Sequence, residues 1–281
     1  MTEGKAAPAA PEADSRNLLM RVLAAMVLAP FAVWIAYTGG LLWASVVTLM
    51  AIGLYVEWLM IVGAAHEIRV TAPGIAAFAL AGFFLSAGRI DAALVVLAIG
   101  LVAVAVLSPE RRIWTATGFG YIAAADVASV VLRLDPAWGF AAVVLIFLVT
   151  WLSDIGGYFA GRSIGGPKLW PRVSPKKTWA GAVGGCVASL AVAAGFAAVG
   201  LGRIGPLLLL GGALSVASQL GDLFESAVKR RFGVKDSSQI IPGHGGLLDR
   251  LDGFLAAVVL AAIFGLLRGG ADGVGRGLMV W

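Results

Sequence analysis

The stretch Ser226–Gly253 reads SAVKRRFGVKDSSQIIPGHGGLLDRLDG and sets five basic residues, three aspartates and a Gly-His-Gly-Gly turn between two strongly apolar segments. Charge at this density beside hydrocarbon is costly unless it faces water, a ligand or a metal. Lys229, Arg230 and Lys235 offer cations to phosphate oxygens, and Arg250 brings a planar fork that suits a phosphate or a carboxylate. Asp222 and Glu225 close the apolar segment before this stretch, and Asp249 and Asp252 open the one after it. Within each pair the acids are three apart, so they are neighbours on a helix surface. Two hard oxygen ligands from two helices, completed by substrate phosphates, form a common Mg²⁺ site. Asp222 and Asp249 are the expected ligands, with Asp252 as a further or supporting one. An acid near a helix start also suits the macrodipole without any metal. His244, between glycines, can contact a phosphate or make a structural bond.

A second polar stretch spans about 161–177. Gly161, Gly165 and Gly166 let the backbone approach a ligand closely. Ser174-Pro175-Lys176-Lys177-Thr178 falls where the next helix is expected to begin. Proline fits a helix entry, free N–H groups there attract phosphate, and two lysines add point charges. The same lysines would also serve as plain membrane anchors. The run Gly161–Lys168 is not a Walker A loop, because Pro167 precedes Lys168 and no Ser or Thr follows it. Asp154 lies near the end of an apolar segment, with Tyr158 one turn later on the same face.

The elements that must position these residues are membrane helices. The chain of 281 residues is 60% hydrophobic and 13% charged, against roughly a quarter charged in soluble domains. Apolar runs of about 20 residues are long enough to cross a hydrocarbon core of ~30 Å as helices. The expected class is therefore an all-α polytopic membrane protein, not a β-barrel of alternating segments. Nine spans are expected, at about 18–38, 41–62, 73–88, 91–107, 113–132, 138–160, 178–200, 206–224 and 252–268. With the N-terminus inside, 16 of the 21 Lys and Arg fall on the inner side. Arg89, Arg133, Arg203, Arg268 and Arg276 fall outside, which is the bias of cytoplasmic loops. The expected division is a polar tail 1–17, a first bundle 18–137, a region 138–270 carrying inner loops 161–177 and 225–251, and an outer tail 271–281. The Ala/Pro/Glu-rich start does not read as a cleavable signal. Net charge of +5 is a topology signal with no nucleic-acid motif. One cysteine, Cys186, excludes an intrachain disulfide. Glu57 and Asp126 are acids inside spans that should face the protein interior.

Ser226, Lys229–Arg230, Lys235–Asp236, Pro242–Gly246 and Asp249–Asp252 together resemble the signature of phosphatidate cytidylyltransferases, the membrane enzymes that make CDP-diacylglycerol. The resemblance is strongest over about 150–268. It implies the reaction of CTP with phosphatidate to give CDP-diacylglycerol and pyrophosphate. It implies catalytic roles for Asp222, Lys229, Arg230, Lys235, Asp236, His244, Asp249, Arg250 and Asp252. Asp154, Tyr158, Gly161, Lys168, Ser174, Lys176, Lys177, Thr178 and Ser226 become substrate-binding candidates. Ala180 departs from the family pattern, which carries an acid there. Mg²⁺ is the implied cofactor, with room for a monovalent cation beside it. The implied place is a bacterial-type inner membrane, with the active site on the cytoplasmic face and membrane lipid all round. A homodimer is left open. A CDP-alcohol phosphotransferase is the nearest other enzyme, but the spacing of Asp249 and Asp252 does not fit its motif. A transporter of a lipid or anion with a basic vestibule is the alternative from another class; it would place charges at mid-membrane depth.

Overall fold

The computed structural model describes residues 26–238 and 245–281. Its helices are α1 (Met26–Thr38), α2 (Gly40–Val62), α3 (Ile68–Ser86), α4 (Ile90–Leu107), α5 (Arg112–Leu134), α6 (Gly139–Ser163), α7 (Trp179–Ala198), α8 (Ile204–Arg231), α9 (Leu248–Gly269) and α10 (Val274–Met279). Among the described residues, the eight helices α2–α9 are long and apolar enough to cross a membrane. This is the expected all-α polytopic architecture. The described part of the first expected span is the shorter apolar helix α1, and residues 18–25 of that span lie outside the described residues.

Two polar segments differ from expectation in extent. The loop expected at 225–251 is shorter, because α8 continues through Lys229, Arg230 and Arg231 and α9 begins at Leu248. Three cations in the last turn of α8 and Asp249 in the first turn of α9 both suit the helix dipoles. The other loop folds into a hairpin, in which β1 (Lys168–Trp170) pairs antiparallel with β2 (Ser174–Thr178). Lys176 and Lys177 are therefore strand residues, not the first residues of a helix. Helix α7 starts at Trp179, where Thr178 Oγ1 accepts from the Gly181 amide at 3.1 Å, a local N-cap bond.

Close helix approach comes from small residues. On α6, Gly156 and Gly157 lie against Gly181 and Gly184 of α7; a Cβ on Gly156 would stand 2.7 Å from Ala188 Cβ and 2.9 Å from the Gly184 carbonyl. Such small-residue faces replace the hydrophobic drive that lipid cannot supply between helices. Gly161 belongs to this crossing: its Cβ would meet Thr178 Oγ1 at 3.1 Å and Gly181 Cα at 3.5 Å. Its size serves packing, whereas Gly165 and Gly166, with φ of 68° and 89°, make the turn into the hairpin.

Long-range polar bonds fix the rest of the bundle. The indole N–H of fully buried Trp58 donates to the Trp114 carbonyl at 2.8 Å, and its ring stacks on Phe224, tying α2 to α5 and α8. Asp135 accepts from the amides of Ala137 and Trp138 at 3.0 Å and from that of Arg276 at 2.7 Å. One carboxylate thus starts α6 and docks α10. An apolar cavity of about 590 Å³ lies between α1, α2, α5, α6 and α9, walled by residues such as Phe31, Met50, Phe147 and Trp151. Asp154, Arg250 and Asp252 also line it, as does Asp126.

Candidate active site

The ends of α6 and α8, the hairpin and the start of α9 meet at one end of the bundle. On β2, side chains alternate in direction, and the two adjacent lysines separate. Lys176 is exposed, while Lys177 is half-buried and its ammonium is paired with Asp222 Oδ2 on α8. Asp222 Oδ1 also accepts from the Ser226 hydroxyl one turn on, at 3.3 Å.

A second ion-paired group lies beside it. Lys229 Nζ is 2.5 Å from Asp249 Oδ1 and 2.9 Å from Glu225 Oε1. Asp249 is saturated by protein donors: its Oδ2 accepts from the Ser237 amide (2.9 Å), the Ser237 hydroxyl (3.0 Å) and the Gly246 amide (2.9 Å). Glu225 is 1% exposed. Among the described residues its partner is Lys229, whose ammonium pairs with Oε1, and Oε2 has no hydrogen-bond partner.

Asp252 is the contrasting group. Among the described residues, its Oδ1 accepts only from the adjacent Gly253 amide, at 2.7 Å. It opens to the cavity and lies within electrostatic reach of Asp222, Glu225 and Asp154. Asp154 in turn feels Asp222 and Lys177. Tyr121 of α5 donates to the Asp252 carbonyl at 3.3 Å. Asp154 and Asp252, which line the apolar cavity, thus lie within electrostatic reach of Asp222, and Asp252 also of Glu225, with Lys177 and Lys229 as the cations paired to Asp222 and Glu225.

This excess of negative charge suits a divalent cation, since buried carboxylates that outnumber their cations are costly. Among the described residues, no three His, Cys, Asp or Glu side chains are close enough to chelate one ion by themselves. Two carboxylates completed by substrate phosphates remain compatible with Mg²⁺, which ordinarily keeps few protein ligands.

The other candidates are placed as follows. Ser174 is half-buried on β2, and Lys168 is exposed at the start of β1. Thr178 is the buried cap of α7. Tyr158 is 58% exposed, and its hydroxyl accepts from Arg162 at 3.0 Å. Arg230 is exposed and donates to the Val234 carbonyl at 2.9 Å. Lys235 and Asp236 are exposed beyond the end of α8. His244 lies outside the described residues. The sequence reading passed over Ser237, which joins the Asp249 bonds, and Gln219, whose amide donates to the Ala182 carbonyl at 3.2 Å and to Ser215 Oγ at 3.2 Å. Polar residues inside apolar runs were the available signal for Gln219; Ser237 had none.

Comparison with known proteins agrees with this arrangement. The family model described as the cytidylyltransferase family matches residues 19–267. The chain is 38% identical to a phosphatidate cytidylyltransferase of Brucella suis biovar 1 (strain 1330), across 89% of this chain and 94% of that one. Phosphatidate cytidylyltransferases of Haemophilus influenzae and Bacillus subtilis are 45% and 49% identical, over 46% and 42% of this chain and 47% and 45% of theirs.

Proposed function

The chain belongs to the cytidylyltransferase family, and we propose that it transfers the cytidylyl group of CTP to phosphatidate, giving CDP-diacylglycerol and pyrophosphate. The observation that carries this reading is the join of two unlike sites. Asp154 and Asp252 line an apolar cavity between membrane helices and stand within electrostatic reach of Asp222, which is paired with Lys177. A transporter reading has no such support from the relatives.

The acyl chains of phosphatidate lie along the cavity wall, where burial of apolar surface holds them. The phosphate then sits at the end marked by Asp154, Arg250 and Asp252. CTP approaches from the hairpin side, where Lys177 meets its phosphates. A phosphate oxygen of phosphatidate attacks the α-phosphorus of CTP. The P–O bond to the β-phosphate breaks, and its electron pair leaves on pyrophosphate. The attacking phosphate is largely ionised at neutral pH, with a second pKa of about 6, so no strong base is needed. Lys177 and Lys229 stabilise the charge that develops on the leaving oxygens. Lys177 must exchange its pairing with Asp222 for a phosphate contact when CTP binds. Mg²⁺, held by Asp222 and Asp252, would supply charge neutralisation and alignment of the phosphates. Sequence reasoning paired Asp222 with Asp249; the saturation of Asp249 by protein donors favours Asp252. The basic bias of the loops supports an inner-membrane protein with this end in the cytoplasm.

The test is direct. Purified protein in detergent, given labelled CTP, phosphatidate and Mg²⁺, is expected to yield labelled CDP-diacylglycerol and one pyrophosphate per lipid. Pyrophosphate release that ignores phosphatidate, or none at all, sinks the reading.

A further inference from the structure

Glu57 of α2 stands outside the cluster described above, yet like Asp249 it accepts four hydrogen bonds beside the site. It is fully buried. Its Oε2 accepts from the Ser237 hydroxyl (2.9 Å) and the Leu248 amide (2.7 Å), and its Oε1 from the Ser238 hydroxyl (2.7 Å) and the Leu247 amide (2.8 Å). Two donors follow the end of α8, and two stand at the start of α9. The helix itself supplies no side-chain cap at Leu247, so a carboxylate some 190 positions away in sequence takes its unpaired N–H groups.

The same contact reaches the site. The Ser237 hydroxyl is 2.9 Å from Glu57 Oε2 and 3.0 Å from Asp249 Oδ2, and its single proton is shared between two carboxylates. Asp249 in turn holds Lys229, beside Glu225. Gly246 closes the arrangement: a Cβ there would meet Glu57 Oε2 at 2.5 Å and Oε1 at 2.8 Å, and would collide with Ser237 Oγ. The site thus tolerates no side chain between Glu57 and its donors.

We infer that Glu57 is a positioning residue for the transfer reaction: from the N-terminal bundle it locks the start of α9 and the Ser237–Asp249–Lys229 bonds in register, which sets where Lys229 and Asp252 stand relative to the substrates. This rests on the functional reading above. It makes the N-terminal bundle part of the active-site geometry, although Glu57 touches no substrate.

Full-length protein in detergent, prepared as Glu57→Gln, Glu57→Ala, Gly246→Ala, Ser237→Ala and the double variant Glu57→Gln/Ser237→Ala, is compared by thermal melting and by kcat and KM for both substrates. Glutamine keeps the shape but turns an NH₂ toward two of the four donors. A loss of about tenfold in kcat is expected, with KM for CTP and phosphatidate within about threefold, since misplacement by ~1 Å can cost up to ~100-fold. Glu57→Ala and Gly246→Ala should lose about 100-fold by the same argument. The double variant should be no worse than Glu57→Gln by more than about twofold, because both changes break one linkage. A merely structural Glu57 would lower the melting temperature and leave kcat of the folded fraction intact; that result in Glu57→Gln overturns the inference. So do multiplicative losses in the double variant. Should Glu57→Ala fail to accumulate, Glu57→Gln and Gly246→Ala decide. Wild-type protein that makes no CDP-diacylglycerol defeats the functional reading instead.

Discussion

Two layers of acid face each other at the active end of the bundle, and they are built on opposite terms. In one layer, Glu57 and Asp249 give all four of their carboxylate oxygens to protein donors. In the other, among the described residues, Glu225 has only its ion pair with Lys229, and Asp252 only its neighbour's amide. The first layer is finished by folding. The second stays short of partners after folding, and a site that binds a cation and phosphates needs that shortage. Asp249 and Asp252 differ by less than one helical turn and fall on different sides of this division. Buried acids are therefore better sorted by what already satisfies them than by spacing.

The largest test of the contrast separates activity from stability. Asp222→Asn and Asp252→Asn should each lower turnover about 10³-fold or more, the scale of losing a metal ligand. The melting temperature of Asp252→Asn should hold or rise, because a like charge leaves a crowded cluster, whereas Asp222→Asn also breaks the half-buried pair with Lys177 and should melt somewhat earlier. If either keeps over a tenth of wild-type turnover at saturating Mg²⁺, the pairing of Asp222 with Asp252 as metal ligands is wrong. Chelation of Mg²⁺ by EDTA should likewise stop turnover, and added Mg²⁺ should restore it, with the melting temperature little changed. A melt that collapsed on chelation would move the metal into the structural layer.

Asp249→Asn should behave in the opposite sense. Breaking a half-buried pair with Lys229 and misfitting two amide donors should cost about 1–3 kcal/mol of stability, read as an earlier melt. Turnover of the surviving folded protein should fall only about tenfold, through a displaced Lys229. Equal losses in Asp249→Asn and Asp252→Asn would erase the distinction between the layers.

The smallest effect concerns the lysines of β2. Lys177→Ala should raise KM for CTP about tenfold, one charge-assisted contact's worth, whereas Lys176→Ala should stay within about twofold because that side chain points away from Asp222. Steady-state kinetics at fixed phosphatidate would show it. A larger effect at Lys176 would mean that the hairpin turns over when the nucleotide binds.

Much of the fold was legible because membrane burial writes itself into composition. Without water to bond the backbone, long apolar runs have helices as their outlet, so the spans from α2 to α9 could be read within about four residues, apart from the start of α3 and the charged end of α8. The polar residues that matter were also legible as a set, since charge placed beside hydrocarbon calls for a reason. Their grouping was not. The hairpin was missed because Pro175 and two lysines suit a helix entry as well as a strand, and the pairing of Lys168 with Thr178 is a contact between segments. Glu57 could be flagged as an acid inside a span, but its donors lie at 237–238 and 247–248, and nothing local names them. The sequence by itself determined a polytopic helical protein with its charged residues concentrated in a few segments between apolar runs, because hydrophobic length and charge cost are properties of single segments. Only the tertiary structure decided which acids are already satisfied and which remain open, because hydrogen-bond saturation depends on the partners that other helices bring.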